Sequence, residues 1–176
     1  MSEALPFEEV YRRHVDDIYR FCLFQLRDPA EAEDVTADAF VSAFSAYQKS
    51  PPNQDKLKVW LIKIARNDVI DRRRRAQRWR AVLSKFQYEQ TAPPSDVESL
   101  VQLNHRLREV LDVARALPKR DRLLIGLRIG ADLSFEEISS ITGISTKTAA
   151  TATYRALEKI RKDSGVVIEE VGMRHA

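Results

Sequence analysis

Residues 59 to 75 read VWLIKIARNDVIDRRRR, an apolar run that passes without a helix breaker into four consecutive arginines. Guanidinium groups at that density have one obvious chemistry, the capture of phosphate oxygens through paired N–H donors. Residues 58–85 carry 10 basic and 2 acidic side chains, a net of +8, whereas residues 1–57 carry 6 basic and 11 acidic, a net of −5. An acidic block beside a basic one points to two partners of opposite preference, with a polyanion on the basic block. A merely solvated charged face is the plainer alternative. It is disfavoured because four adjacent arginines repel one another all round a helix unless an anion compensates. Trp79 and Phe86 add flat surfaces on which unpaired bases could stack, although a place in the core explains either residue as well.

On a helical wheel Trp60, Ile64, Asn67 and Asp71 form one stripe, widened by Leu57 and Leu61. Lys63, Arg66, Ile70, Arg73, Arg74 and Gln77 fall opposite. The expectation is a packing face that fixes a cationic face in space. Asn67 and Asp71 sit at the margin, where a carboxylate can order neighbouring arginines.

A second constellation spans residues 134–162: SFEEISSIT, then GIS, then TKTAATATYRALEKIRK. Ser134 with Glu137 three positions on is a capping box, Gly143 supplies a turn, and Ser145 caps the next helix. This is the helix-turn-helix pattern, with Ile138, Ile141 and Ile144 as its small core. Ala149, Thr153, Ala156 and Ile160 should face inward, leaving Lys147, Thr148, Thr151, Tyr154 and Arg155 for a DNA groove. Arg161 and Lys162 either reach phosphates or complement the helix C-terminus. A generic helical hairpin is the bland alternative.

These segments must be positioned by helices. The chain has 176 residues, 44% of them hydrophobic and only five of them glycine, and its β-branched residues do not alternate with polar ones. That pattern predicts an all-α fold. The first helix is expected over Phe7 to Leu26. A second starts at Asp28-Pro29, with Glu31, Glu33 and Asp34 near its positive end. The third runs from Leu57 to about Lys85, and an interruption near Arg75–Trp79 would supply a fourth. The polar, proline-paired stretch SKFQYEQTAPPSDVE (84–98) reads as a linker. Beyond it, Leu100, Leu103, Leu107, Leu111, Ala114 and Leu117 mark an amphipathic helix stopped by Pro118. The next helix covers Lys119 to about Ile129 and is ended by Gly130.

The composition also argues against several functions. No glycine-rich phosphate loop occurs, and His14, His105 and His175 show neither metal nor nucleophile spacing, so the reading is no enzyme, no metal and no cofactor. The single Cys22, in an apolar run, reads as a buried small hydrophobe of a reduced, cytosolic protein. No signal peptide and no run approaching the roughly 20 apolar residues of a membrane helix is found.

Taken together, AEDVTADAF (32–40), WLIKIARNDVIDRRRR (60–75), LPKRDRLLIGLRIGADLSFEEISSITGIS (117–145) and YRALEKIR (154–161) resemble a bacterial sigma factor of the extracytoplasmic-function class. The resemblance implies two small helical domains joined by a flexible linker: a region 2-like domain at 1–83, the linker at 84–98, a region 4-like helix-turn-helix domain at 99–163 and a short tail at 164–176. It implies RNA polymerase core enzyme and promoter DNA as partners, and an anti-sigma protein that covers the polymerase-binding surfaces. Glu31, Glu33, Asp34, Asp38 and Phe40 match the segment that docks on the polymerase clamp. Lys63, Arg66, Asn67, Asp71, Arg73 and Arg74 match the segment that reads and melts the −10 element, and SPPNQDK (50–56) lies where such factors hold a flipped-out base. Ser145, Lys147, Thr148, Thr151, Tyr154 and Arg155 become the −35 contacts. One departure is that Ala150 and Ala152 stand where basic residues are usual, and small or polar Ala149 and Thr153 imply a loosely packed hairpin. A one-component helix-turn-helix regulator is the rival reading, but it leaves AEDVTADAF and the arginine-rich helix unexplained.

Overall fold

The computed structural model describes residues 5–85, 108, 111–112 and 115–164, and no strand occurs among them. Helix α1 (Phe7–Leu26) carries Glu8 and Glu9 in its first turn, where the positive end of the helix favours them; one turn on, Glu8 pairs with Arg12, and Glu9 with Arg12 and Arg13. It ends in Arg27, whose left-handed φ of 62° lets its N–H cap the carbonyl of Leu23. Asp28 then accepts a hydrogen bond from the Glu31 N–H at 3.0 Å, and Pro29 at the first position commits the chain to α2 (Pro29–Tyr47). A 3₁₀ turn at Gln54–Lys56 leads into α3 (Leu57–Lys85). Ala32, Ala39 and Ala43 let α2 approach closely, and Phe21, Leu23 and Phe24 of α1 are buried in the same core as Leu61, Ile62, Ala65 and Val69 of α3. Cys22 is fully buried there, and desolvation pushes its thiol up to about 12.

α3 corrects the sequence reading twice. It runs unbroken for 29 residues, so no interruption occurs near Arg75–Trp79 and no fourth helix forms there. Its buried residues are Leu57, Leu61, Ile62, Ala65 and Val69, whereas Asn67 and Asp71 are exposed. The packing face is therefore turned away from the stripe expected through Trp60, Ile64, Asn67 and Asp71.

The second module begins with helical residues at Arg108, Leu111, Asp112, Arg115 and Ala116, of which Leu111 is buried. After Pro118 come α4 (Lys119–Ile125), a π turn at Gly126–Gly130, α5 (Phe135–Thr142) and α6 (Thr146–Ser164). The helix expected to reach Ile129 thus changes its winding after Ile125. The capping box is present, with the Ser134 N–H donating to Glu137 Oε2 at 2.7 Å and the Glu137 N–H donating to Ser134 Oγ at 3.2 Å. Ser134→Ala is expected to lower stability by about 1 kcal/mol, measured by urea unfolding, because the Glu137 N–H loses its partner. Apart from residues 84, 85 and 164, which are helical, the expected linker and tail lie outside the described residues, as does most of the leucine-spaced helix before Pro118.

The modules share a junction. α1 lies against the π turn where Gly126 and Gly130 remove the side-chain bulk: a Cβ at Gly130 would stand 3.0 Å from Phe24 Cδ2 and 3.3 Å from the α1 backbone. Across this contact Arg20 Nε donates to the Gly130 carbonyl at 3.0 Å and Lys58 Nζ donates to the Ala131 carbonyl at 3.1 Å. Those carbonyls mark the negative end of the turn, which cations favour. Asp17 holds both donors, pairing with Arg20 and with Lys58 at 2.9 Å. Gln25, itself buried, donates to the Arg122 carbonyl at 3.2 Å.

Candidate nucleic-acid interface

α3 is roughly 43 Å long at 1.5 Å per residue, and burial ends at Val69. Past that point the helix is a rod leaving the core. Arg74, Arg75, Arg78 and Arg80 project from it into solvent, and Trp79 is 63% exposed, so the core role weighed for Trp79 does not hold. Phe86 lies outside the described residues. Lys63, Asn67, Asp71 and Arg74 share solvent exposure, and Asp71 stands 3.9 Å from Arg74, the ordering contact expected of it.

The remaining −10 candidates are placed differently. Arg66 and Arg73 line a cleft of about 340 Å³ with Ile70, facing Lys119, Arg120 and Ile144 of the second module. Arg73 is half-buried, donates to the Gln25 carbonyl, and has its pKa lowered first by that burial and then by nearby Arg27. The structure thus divides the candidate set, with one part open to solvent and the other facing the second module. Arg72, which the wheel did not single out, reaches α2: it lies 3.7 Å from Glu31 and 3.4 Å from Asp34. No local pattern announces a pair 38 residues apart. Beside it, half-exposed Asp68 has an unpartnered Oδ2, and desolvation followed by Asp38 and Asp71 raises its pKa.

On α2, Glu33, Asp34 and Asp38 are exposed and Glu31 is half-buried. Phe40 corrects the expectation. It is buried, 5% exposed, and packs edge-on against Tyr11 at 4.8 Å, so it supports a surface rather than forming one. The apolar groups that do reach solvent there are Tyr11, Val41 and Phe44, with Phe44 resting on Phe7 at 5.2 Å. Alternation of small and aromatic residues in AFVSAFSAY gave no means of choosing between Phe40 and Phe44. The SPPNQDK loop is largely exposed around its 3₁₀ turn.

The helix-turn-helix forms as read. Gly143 takes φ of 73°, Ile138 and Ile141 are buried, and Ala149, Thr153, Ala156 and Ile160 face inward. Thr153 is fully buried and donates its hydroxyl to the Ala149 carbonyl at 2.8 Å, so the two residues fit a close approach of α5 and α6 rather than a loose one. Lys147, Thr148, Thr151, Tyr154 and Arg155 are all exposed. Tyr154 packs on Phe135 at 5.8 Å, over which Arg128 sits at 5.0 Å. Ser145 Oγ accepts from the Thr148 N–H at 3.2 Å, which makes it a cap. Arg161 and Lys162 both pair with Glu158.

Residues 10–80 match the sigma-70 region 2 family model, and residues 107–160 match the sigma-70 region 4 model. The chain belongs to the sigma-70 family. Several similar relatives carry extracytoplasmic-function names. The sigma factor SigM of Bacillus subtilis is 27% identical over 89% of this chain and 94% of its own length. SigW of the same organism is 29% identical over 89% of this chain and 87% of its own length. The fold matches, with a TM-score of 0.70 and 22% identity, the sigma factor RpoE in a co-crystal with the anti-sigma factor NepR from Bartonella quintana, covering 89% of this chain and 94% of that one. In this sigma factor α1 to α3 fall within or around the region 2 match, and α4 to α6 around the region 4 match. Among the described residues no cluster of His, Cys, Asp and Glu could hold a metal, and no helix is long and apolar enough to cross a membrane.

Proposed function

We propose that this sigma factor binds core RNA polymerase and directs promoter recognition, strand opening and transcription initiation, and that an anti-sigma protein restrains it. The observation that carries the reading is the architecture of α2 and α3: exposed carboxylates on one helix and a protruding arginine rod on the next, fixed to one another by a common core. Strand opening needs phosphates neutralised and unstacked bases held, and a rigid cationic helix beside an exposed loop supplies both. Glu33, Asp34 and Asp38, with Tyr11, Val41 and Phe44, form the polymerase-facing surface. Lys63, Asn67, Asp71 and Arg74 meet the −10 element first, and Arg66 and Arg73 join when the second module moves aside. The domains are those read from the sequence, 1–83 and 99–163; the protein works in the cytoplasm and has no catalytic activity of its own.

The test is run-off transcription with purified chain and core enzyme on promoter DNA. A promoter-dependent transcript absent from core alone is expected. A chain that binds promoter DNA but neither joins core nor starts transcription would leave the one-component regulator standing.

The −35 module yields a further expectation. Ala150 and Ala152 are both partly buried, and Ala152 packs against the core, so position 150 is the better place for a new charge. Ala150→Lys should tighten binding of the upstream element and steepen its salt dependence by about one unit of slope, the mark of one added phosphate contact. Unchanged affinity across a salt titration would mean that this turn of α6 does not approach DNA.

A further inference from the structure

A second cavity between the modules carries charge of nearly one sign. About 200 Å³ enclosed by the end of α1, the start of α2, the middle of α3 and the start of α4 is lined by six cations, Arg27, Arg72, Arg73, Arg80, Lys119 and Arg122, and by one acid, Glu31. Among the described residues only Arg72 of the six pairs with carboxylates. Arg73 directs its donor to a main-chain carbonyl. Arg122 is 5% exposed, reaches the Leu117 carbonyl only at 3.5 Å, and leaves its Nε without a partner. Burial, then Arg27 and Arg73, pull its pKa down to about 10. A guanidinium withdrawn from water among like charges, with a donor unpaired, is strongly stabilised by any anion that reaches it.

Exposed Arg27, Arg80 and Lys119 form the rim, and buried Arg122 forms the floor. Cations on several sides of a small void suit a compact ligand of high charge density. Guanidinium forks match phosphate oxygens in pairs, whereas a carboxylate brings a single charge with a bulky backbone behind it. We propose that this cavity is a binding site for an oligophosphate group, two or more linked phosphates taken from inorganic pyrophosphate or from a nucleotide. Such a ligand bridges α3 to α4 and so ties the modules together. It also occupies Arg73, which promoter DNA requires if the chain acts as proposed under its function.

Isothermal titration calorimetry on the full chain tests this, with pyrophosphate, tripolyphosphate, ATP and sulfate at matched ionic strength. Saturable binding of one equivalent of pyrophosphate or tripolyphosphate is expected, with sulfate far weaker. Lys119→Gln and Arg27→Gln, both on the exposed rim, should each weaken it roughly tenfold, the loss of one charge-assisted contact. Arg122→Gln should weaken it further, and circular dichroism checks its fold; the rim variants decide the matter if it unfolds. ATP binding as tightly as tripolyphosphate, or more tightly, supports the site and distinguishes a phosphate-only reader from one that also holds the nucleoside. No saturable heat in the millimolar range, equal binding of sulfate, a double rim variant with unchanged affinity, or a glutamate-rich peptide binding better than pyrophosphate would each overturn the proposal. A chain that starts transcription yet ignores pyrophosphate sinks this inference alone, and one that binds pyrophosphate but never starts transcription sinks the functional reading alone.

Discussion

Charge reversal at Arg73 and Arg74 together is expected to abolish open-complex formation while leaving attachment to core polymerase intact. Arg74 stands in solvent with only a long 3.9 Å pairing to Asp71, so its guanidinium is available to a strand phosphate. Arg73 sits one residue back, half-buried against the Gln25 carbonyl. Each charged hydrogen bond contributes about 1.5–3 kcal/mol, and a glutamate adds repulsion, so two reversals should cost on the order of 100-fold or more in open complexes. Permanganate reactivity of the melted strand measures opening, and co-elution with core enzyme measures attachment. Arg74→Glu alone separates the DNA effect from any disturbance around Gln25, because Arg74 makes no hydrogen bond or ion pair to α1 among the described residues. Reactive thymines persisting in both variants would remove the arginine rod from the mechanism.

The second large effect is expected at Gly130. Its added Cβ would meet Phe24 Cδ2 at 3.0 Å and the main chain of Arg20 and Phe21 at 3.3 Å, and a helix backbone packed into the core cannot retreat. Gly126 is more forgiving at its nearest contact, since the atom at 2.7 Å is the amide end of the Gln25 side chain. Gly130 does not occupy positive φ, so a β-branched residue there meets its obstacle in the other module and not in its own turn. Gly130→Val should therefore part the modules while each keeps its helices. A larger radius of gyration by small-angle scattering, with unchanged far-ultraviolet circular dichroism, is the expected pair of results. Parting also uncovers Arg66 and Arg73, so the variant should take up promoter DNA more readily. An unchanged radius would mean that the junction yields elsewhere.

How much of this could be read from residues alone differs from element to element. Asp28-Pro29, Ser134 with Glu137, and Gly143 announced helix boundaries because capping is local chemistry, complete within four residues. The inward face of α6 was legible for a related reason, its small residues recurring at helical spacing. The packing face of α3 was not. Trp60 and Ile64 drew the wheel toward their own side, while the helix buries Ala65, whose small size lets neighbours close in but gives little weight in an amphipathic pattern. The expected break near Arg75 failed to occur because the arginines are dealt with singly. Arg72 turns to Glu31 and Asp34, Arg74 to Asp71, and the outer ones stay hydrated. Phe40 was expected on the surface and is buried, while Phe44 is exposed, because aromatic type says nothing of which side a neighbouring helix covers. The junction between modules was invisible, since its acceptors are main-chain carbonyls, which every residue possesses.

Asp17 gives that junction a particular readiness. It keeps Arg20 and Lys58 gathered whether or not the π turn is in front of them, so little side-chain freedom is frozen when the two halves meet again. Re-engagement should then be quick, and the entropy saved favours the joined arrangement over the parted one.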